Sequence, residues 1–228
     1  MLNFSSYRND DVIRNLNRGR FSPLDVMLTG VTGAGKSSTI NALFGRSVAK
    51  VGTGVEPETM DVDYYSLNNY FRIWDTPGLG DGVQADERHK RKMTKLLHKT
   101  YSLDNRIYGF IDMAIVLVEG ANRDMGSTYT LLNEVIVPHI SSDRILVVVN
   151  QADVAMKGRH WDHGHCCPDE TLRDFLQQQA QSIQNRVREA TGVWIKTPVC
   201  FSARYGYNLK QVYDFIIDNM PCRRRSIY

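Results

Sequence analysis

The chain has 228 residues, of which 42% are hydrophobic and 23% are charged, and its formal net charge is +3. This composition is typical of a globular protein, and the charge is too small to indicate a nucleic-acid-binding protein by itself. The longest apolar runs, MAIVLV at 113–118 and ILVVV at 145–149, fall far short of the roughly 20 residues that a membrane-spanning helix needs. They are interpreted as buried strands.

In chain order, short β-branched apolar runs alternate with amphipathic segments of helical length. A short helix is predicted over 8–18, and the break GRFSP separates it from predicted strands over 24–29, 61–67, 71–74, 111–118, 144–149 and 198–202. Helices are predicted over 36–44, 86–102, 127–137, 169–190 and 209–219. The alternation predicts an α/β fold with a six-stranded, mainly parallel sheet, one antiparallel strand, and helices on both faces. We expect an N-terminal arm over 1–20, one domain over 21–221 and a basic tail over 222–228.

The first residues are polar and do not resemble a secretory leader, so we expect a cytoplasmic protein. The cysteines are few and irregularly spaced, and we expect them to be free thiols rather than a disulfide framework. They are Cys166, Cys167, Cys200 and Cys222.

The stretch GVTGAGKSST at 30–39 lies between the first predicted strand and the next predicted helix. It fits the spacing G-x-x-x-x-G-K-[ST], in which backbone N–H groups and the helix dipole surround a nucleotide phosphate. The lysine would reach the β- and γ-phosphates, and the following serine would give its hydroxyl to Mg²⁺. The alternative is a tight turn that only resembles such a loop. The predicted phosphate-binding residues are Gly30, Thr32, Gly33, Ala34, Gly35, Lys36 and Ser37.

Two further motifs follow predicted strands. In WDTPGLGDG at 74–82, Asp75 can hold a water of the Mg²⁺ shell and the Gly78 N–H can bond the γ-phosphate, which predicts a switch that senses the terminal phosphate. In NQAD at 150–153, the Asp153 carboxylate can accept two hydrogen bonds from guanine N1 and N2. Adenine does not offer these donors in that arrangement, so the sequence predicts a guanine nucleotide.

With FSAR at 201–204, this ordered set of motifs is similar to that of the Ras-like, translation-factor-class GTPases. The segments GKSSTINALFG, VGTGVEPETMDV and WDTPGLGDG resemble the Era/TrmE branch, closest to the small GTP-binding proteins of bacterial prophages. They also resemble the immunity-related GTPases. The resemblance spans about 21–220 and implies a Ras-like P-loop NTPase fold, with a GTP-binding domain over 21–221.

The resemblance also implies roles for individual residues. Thr59 matches the switch threonine that coordinates Mg²⁺ in the GTP state, together with Ser37 and Asp75, and Thr53 is the competing position. Ser38 would contact the α-phosphate, and the Ala203 N–H would meet guanine O6. The residues expected around the base are Asn150, Gln151, Asp153, Ser202, Ala203 and Arg204.

Three positions depart from the family pattern. Gln151 stands where lysine is usual, so we expect guanine specificity to be kept and affinity to be reduced. Gly33 stands where the potassium-stimulated members have asparagine, so we expect no activation by potassium. Leu79 stands where Ras-type proteins place the glutamine that orients the attacking water, and a leucine cannot bind water.

Hydrolysis would therefore depend on Lys36, Thr59, Gly78 and Mg²⁺, unless another group contributes. That group could be Asp81 or Arg123, an activator protein, or a second copy in a homodimer across the nucleotide face. We expect a slowly hydrolysing GTP-dependent switch with an unknown effector. The alternative is a nucleotide-gated, self-assembling or structural GTP-binding module with negligible turnover, and an ATP-driven enzyme has no use for NQAD followed by FSAR.

Other polar segments suggest no separate function. The loop HWDHGHCC at 160–167 has poor spacing for zinc and is interpreted as a solvent-facing insertion. The tail PCRRRSIY is interpreted as solvated or as a truncation point that leads to a further segment. The basic run HKRK at 89–92 is interpreted as a solvated helix face, and the alternative is a contact surface for RNA or a membrane. We expect no dedicated nucleic-acid-binding domain.

Overall fold

A computed structural model describes residues 7–21, 23–44, 63–68, 71–121 and 125–227. In chain order the strands are β1 (Leu24–Gly30), β2 (Asp63–Asn68), β3 (Phe71–Asp75), β4 (Thr100–Leu103), β5 (Arg106–Gly109), β6 (Met113–Glu119), β7 (Ile145–Asn150), β8 (Trp161–Asp162), β9 (Cys167–Pro168) and β10 (Val199–Cys200). The α-helices are α1 (Asn9–Gly19), α2 (Lys36–Phe44), α3 (Val83–His98), α4 (Gly126–Leu131), α5 (Glu170–Thr191) and α6 (Leu209–Asp218).

The main sheet has six strands in the order β10-β7-β6-β1-β3-β2. All neighbours are parallel except β2 and β3, which are antiparallel. The predicted six-stranded, mainly parallel sheet is therefore confirmed. Every residue of β1 is buried, as expected for a strand that helices cover on both faces. One core lies under α3, α4 and α5, and the other lies under α1, α2 and α6.

Two predicted helices differ in the structure. The helix predicted over 86–102 ends at His98, and β4 and β5 then form a hairpin whose turn residues, Asp104 and Asn105, both have positive φ. This is the backbone of a two-residue hairpin turn, which Asp and Asn tolerate well. The helix predicted over 127–137 is α4 followed by a π-helical turn over Leu132–Ile136.

The N-terminal helix is fixed to the body of the domain. The Tyr7 hydroxyl donates to Asp214 of α6 at 2.8 Å, and Arg8 donates to Asp214 at 3.1 Å and to Asp218 at 2.7 Å. Val12 and Leu16 of α1 belong to the core that contains α6. The predicted helix over 8–18 is confirmed as α1.

The interpretation of the C-terminal tail as solvated is wrong for Arg225, which is buried. Its guanidinium donates to the carbonyls of Leu97 at 2.6 Å, Ile111 at 2.9 Å and His139 at 2.8 Å. Five N–H donors in a fixed fork let one arginine satisfy several carbonyls at once. The tail therefore ties the end of α3 to the segments before β6 and after the π-helical turn.

A buried polar cluster lies at the amino edge of the sheet, opposite the ends of the strands that carry the nucleotide motifs. The Asp25 carboxylate accepts two hydrogen bonds from Arg72 and one from the Trp74 indole, all at 2.7 Å. The Asp25 N–H donates to Asp112 at 3.1 Å, and burial raises the pKa of Asp112 to about 7. Arg144 donates to the Asp112 carbonyl at 2.8 Å.

Within the residues that the structure describes, none of the helices is both long and apolar enough to cross a membrane.

Candidate nucleotide-binding site

The glycine-rich loop connects the end of β1 to the start of α2, as predicted. A Cβ atom on Gly30 would lie 2.5 Å from the Leu117 carbonyl oxygen, and one on Gly35 would lie 2.4 Å from the Asn150 side-chain nitrogen. Both glycines also have positive φ, so neither position accepts another residue without strain. The first N–H groups of α2 have no partner within the helix, and they lie at its positive end, which favours an anion.

Lys36, at the start of α2, is half-buried, and its ammonium donates to the Val31 carbonyl at 3.3 Å. Burial lowers the pKa of Lys36, while the carboxylates of Asp75 and Asp81 act in the opposite direction. Ser37 and Ser38 are exposed in the first turn of the same helix. The structure thus places the predicted lysine and the predicted metal-binding serine and aspartate at one end of the sheet.

Asn150, at the end of β7, joins the phosphate-binding loop to the loop that follows β10. Its amide donates to the Ala34 carbonyl and accepts from the Ala203 N–H, both at 3.0 Å. Gln151 donates to the Gly33 carbonyl at 2.9 Å. The shorter glutamine therefore still reaches the phosphate-binding loop, although the positive charge of the usual lysine is absent.

Asp153 is 6% exposed and lies two residues after Gln151, in a short 3₁₀ helix over Ala152–Val154. Its Oδ1 atom is buried and has no hydrogen-bond partner among the described residues. A buried acceptor without a donor is costly, so the position fits a ligand that brings N–H groups to the carboxylate. The guanine N1 and N2 groups are such donors.

The loop after β10 is a tight turn closed by Ser202, which is fully buried. Its N–H donates to the Tyr207 carbonyl at 3.1 Å, and its hydroxyl accepts from the Tyr205 N–H at 3.3 Å. Ala203 is half-buried, whereas Arg204 is exposed with its guanidinium 5.3 Å from the Tyr205 ring centroid.

The loop over 160–167, together with the residues that flank it over 155–169, forms an insertion that lies against this turn. This contact was not predicted from the sequence. Trp161 is buried, and its ring centroid lies 5.3 Å from that of Tyr205 and 5.6 Å from that of Tyr207. The His163 ring also contacts Tyr205, at 5.8 Å between centroids. The interpretation of the whole insertion as solvent-facing is therefore wrong for Trp161. The only signal in the sequence was a large aromatic residue within an otherwise polar loop.

The histidines of the insertion do not form a metal site. His160 contacts Asp169 and His165 contacts Asp162, at 2.8 and 2.7 Å. Over the described ranges, no group of three or more His, Cys, Asp or Glu residues could hold a metal ion.

Leu79, the residue after Gly78, is 1% exposed, and its side chain belongs to the core under α3. Its carbonyl accepts the Thr32 N–H at 2.7 Å, and the Thr32 hydroxyl donates to Asp81 at 3.0 Å. The leucine side chain therefore points into the core instead of toward the phosphate-binding loop. Thr59, Thr53 and Arg123 lie outside the described residues.

A family model described as 50S ribosome-binding GTPase matches residues 25–187. GTPase Der of Rickettsia akari is 26% identical over 84% of this chain, and the match covers 38% of the length of Der. A probable GTP-binding protein EngB of Geobacillus kaustophilus is 24% identical over 65% of this chain and 72% of its own length. A solved structure of Toc33 from Arabidopsis thaliana, a variant described as dimerisation-deficient, has a TM-score of 0.64 at 16% identity and covers 100% of this chain and 98% of its own.

Proposed function

Because the chain belongs to the family of 50S ribosome-binding GTPases, within the Ras-like P-loop class that includes TrmE, Era and EngB, we propose that it is a molecular switch that cycles between GTP and GDP. The observation that supports this best is the buried Asp153 carboxylate, whose Oδ1 has no donor within the described residues. It lies two and three residues along the chain from Gln151 and Asn150, which bond the phosphate-binding loop. One site thus offers a base-binding and a phosphate-binding end.

We assign each residue a role according to the part of the nucleotide that it would contact. Lys36 supplies positive charge to the phosphates, and the Gly78 N–H supplies a donor to the terminal phosphate. Ser37, Thr59 and Asp75 would hold Mg²⁺, which neutralises phosphate charge when it is bound. The two described ligands, Ser37 and Asp75, have the oxygen donors that Mg²⁺ prefers, which fits this role.

Hydrolysis by the isolated chain is proposed to be slow. The buried Leu79 side chain cannot orient water, so Lys36, Gly78 and the metal act without that group. We expect a rate on the order of 10⁻⁴ to 10⁻² s⁻¹, as for GTPases that lack a group supplied in trans. A second copy across the nucleotide face is one source of that group, and a dimerisation-deficient variant exists for the structurally similar Toc33.

The alternative is a GTP-binding module that self-assembles and hardly turns over. Single-turnover hydrolysis measured across a range of protein concentrations separates the cases. A rate that rises with concentration supports a group from a second copy, and a flat rate supports a separate activator. No measurable turnover at any concentration supports the structural module. We propose that the chain acts in the cytoplasm, as a bacterial GTP-binding protein of the prophage type, through an effector protein.

Titration calorimetry with GDP, GTP, ATP and XDP tests the nucleotide assignment. We expect the wild-type chain to bind GDP and GTP and to bind ATP weakly. Asp153→Asn should shift the preference toward XDP, because the amide can donate to the xanthine oxygen where the carboxylate accepted from guanine. Asp104→Asn, which makes the same charge change in the distant hairpin turn, serves as the control. Equal affinity of the wild-type chain for ATP and GTP would contradict the proposal.

A further inference from the structure

Residues 78–81, which we call the docked segment, lie directly on the phosphate-binding loop. Leu79 contributes a carbonyl that accepts the Thr32 N–H at 2.7 Å, and Asp81 contributes a carboxylate that accepts the Thr32 hydroxyl at 3.0 Å. Val31 and Leu79 also pair as a parallel β-bridge. Both hydrogen-bond donors of Thr32, its N–H and its hydroxyl, are therefore occupied by the docked segment.

The start of α3 holds the docked segment from the other side. One carboxylate oxygen of Asp86 accepts the N–H of Gly80 at 2.8 Å and that of Asp81 at 3.2 Å. The His89 ring contacts the Gly78 carbonyl at 2.7 Å. With the Leu79 side chain in the core, the segment is fixed at several points along its length.

This arrangement holds Gly78 close to Thr32 and Lys36. A Cβ atom on Gly78 would lie 2.6 Å from the Thr32 nitrogen and 2.9 Å from the Lys36 ammonium. These distances are shorter than ordinary contacts of a Cβ atom, so the Gly78 backbone lies directly against the phosphate-binding loop. We therefore expect a γ-phosphate in contact with the Gly78 N–H to compete with the docked segment for Thr32 and Lys36, whereas GDP has no group at this position.

The charge of Asp81 acts in the same direction. Its carboxylate is held at the phosphate-binding loop by the Thr32 hydroxyl, and it attracts the Lys36 ammonium, the same charge that a γ-phosphate would use. Two negative groups beside one lysine repel each other, so the carboxylate disfavours a bound γ-phosphate while it stays in this position.

We propose that Thr32 and Asp81 form a latch that makes the chain discriminate against GTP in favour of GDP. This inference rests on the proposed guanine-nucleotide site and names the residues that set its preference between the two states. Only GTP has to compete with this hydrogen bond, so a variant that lacks it should bind GTP more tightly relative to GDP. The net value of one such hydrogen bond predicts a change of roughly threefold to tenfold in relative affinity.

The test compares Kd values for GDP and for the non-hydrolysable analogue GppNHp in the presence of Mg²⁺. The variants are Thr32→Val, Asp81→Ala and the double variant, and both residues are exposed, so the fold should tolerate them. Each single variant should raise the affinity for GppNHp relative to GDP. The double variant should gain no more than the larger single effect, because both substitutions break one interaction.

Two matched controls accompany these variants. Thr32→Ser keeps the hydroxyl, and Asp104→Asn removes a carboxylate from the hairpin turn, so both should keep the wild-type ratio. An unchanged ratio in Thr32→Val and Asp81→Ala, or fully additive effects in the double variant, would overturn the latch. So would a loss of GppNHp affinity in Asp81→Ala, which would make Asp81 a ligand of the GTP state. Absence of GDP binding by the wild-type chain would instead refute the nucleotide site itself.

Discussion

Buried carboxylates lie both at the amino edge of the main sheet, where the parallel strands begin, and at its carboxyl edge, where they end. The two groups differ in their hydrogen bonds. At the amino edge, Asp25 accepts three hydrogen bonds, from Arg72 and Trp74. At the carboxyl edge, Asp153 is equally buried, yet its Oδ1 has no donor in the described part of the chain. A buried carboxylate that the protein itself neutralises holds the fold together, whereas a buried carboxylate oxygen without a donor beside a loop is positioned for a ligand.

Asp112 shows that burial alone does not distinguish the two edges. It lies at the amino edge, is 1% exposed, and also has an oxygen without a partner among the described residues. Burial raises its pKa to about 7, so below that pH the group is neutral and its burial costs less. Asp153 differs because the phosphate-binding loop and the loop after β10 meet beside it, through Asn150.

The largest effect on stability is expected from removing the ion pair between Arg72 and Asp25 at the amino edge. Arg72→Met removes the cationic partner of Asp25 and leaves a buried carboxylate, which should lower the free energy of unfolding by about 3 kcal/mol. Urea denaturation of the nucleotide-free chain measures this. Because the amino edge does not contact the nucleotide site, the GDP affinity of the folded variant should stay at the wild-type value.

Lys210→Met is the control, since it breaks the exposed pair between Lys210 and Asp214 and should change stability little. A stability loss no larger in Arg72→Met than in Lys210→Met would show that the pair at Asp25 is not structural.

The pH dependence of stability tests Asp112. Between its ordinary value of 3.8 and about 7, the folded chain keeps the Asp112 proton that the unfolded chain releases. The free energy of unfolding should therefore fall as pH rises through this range, with a contribution of up to about 1.4 kcal/mol per pH unit, and should level off above it. Asp112→Asn removes this contribution, so urea denaturation from pH 4.5 to 8 should show a shallower slope for the variant. Parallel curves for the variant and the wild type would contradict the assignment.

The carboxyl edge depends on the insertion for its order, and Trp161 tests this. Trp161→Ala removes the ring that supports Tyr205 and Tyr207. In the variant, the loop after β10 is therefore less ordered before the nucleotide binds, and ordering it reduces the affinity. Aromatic pairs of this kind contribute about 0.5–1.5 kcal/mol each, so the affinity for GDP and for GppNHp should fall together, by about tenfold. Fluorescent-nucleotide titration measures both.

Two variants control for a general loss of structure. Trp161→Phe should recover most of the affinity, and Trp194→Ala, whose exposed ring contacts Arg188 instead, should keep the wild-type value. A selective loss of GppNHp binding in Trp161→Ala would contradict a role at the base end.

The features that the sequence predicted are those with a local cause. A continuous apolar run predicts a buried strand, and glycine and lysine spacing predicts the phosphate-binding loop, because each depends on neighbouring residues only. The hairpin β4–β5 was missed because its short strands follow a helical pattern without a break. Trp161 beside Tyr205, and Arg225 on three distant carbonyls, depend on contacts between remote segments, which a linear pattern does not contain.

The smallest effect on nucleotide chemistry is expected at Leu79, which lies at the carboxyl edge beside the phosphate-binding loop. Leu79→Gln places an amide where water-orienting glutamine stands in Ras-type proteins, but the leucine side chain points into the core and the backbone carbonyl is bonded to Thr32. The amide has no path to the phosphate-binding loop while this backbone is kept, so the single-turnover rate should change by less than about threefold. The cost should appear instead as lower stability, because a polar group enters the core.

Leu79→Met, which keeps an apolar side chain of similar volume, should keep both the rate and the stability. An increase of tenfold or more in the rate of Leu79→Gln would show that the segment can turn this side chain toward the nucleotide, and that the wild-type chain hydrolyses slowly because it lacks that one amide.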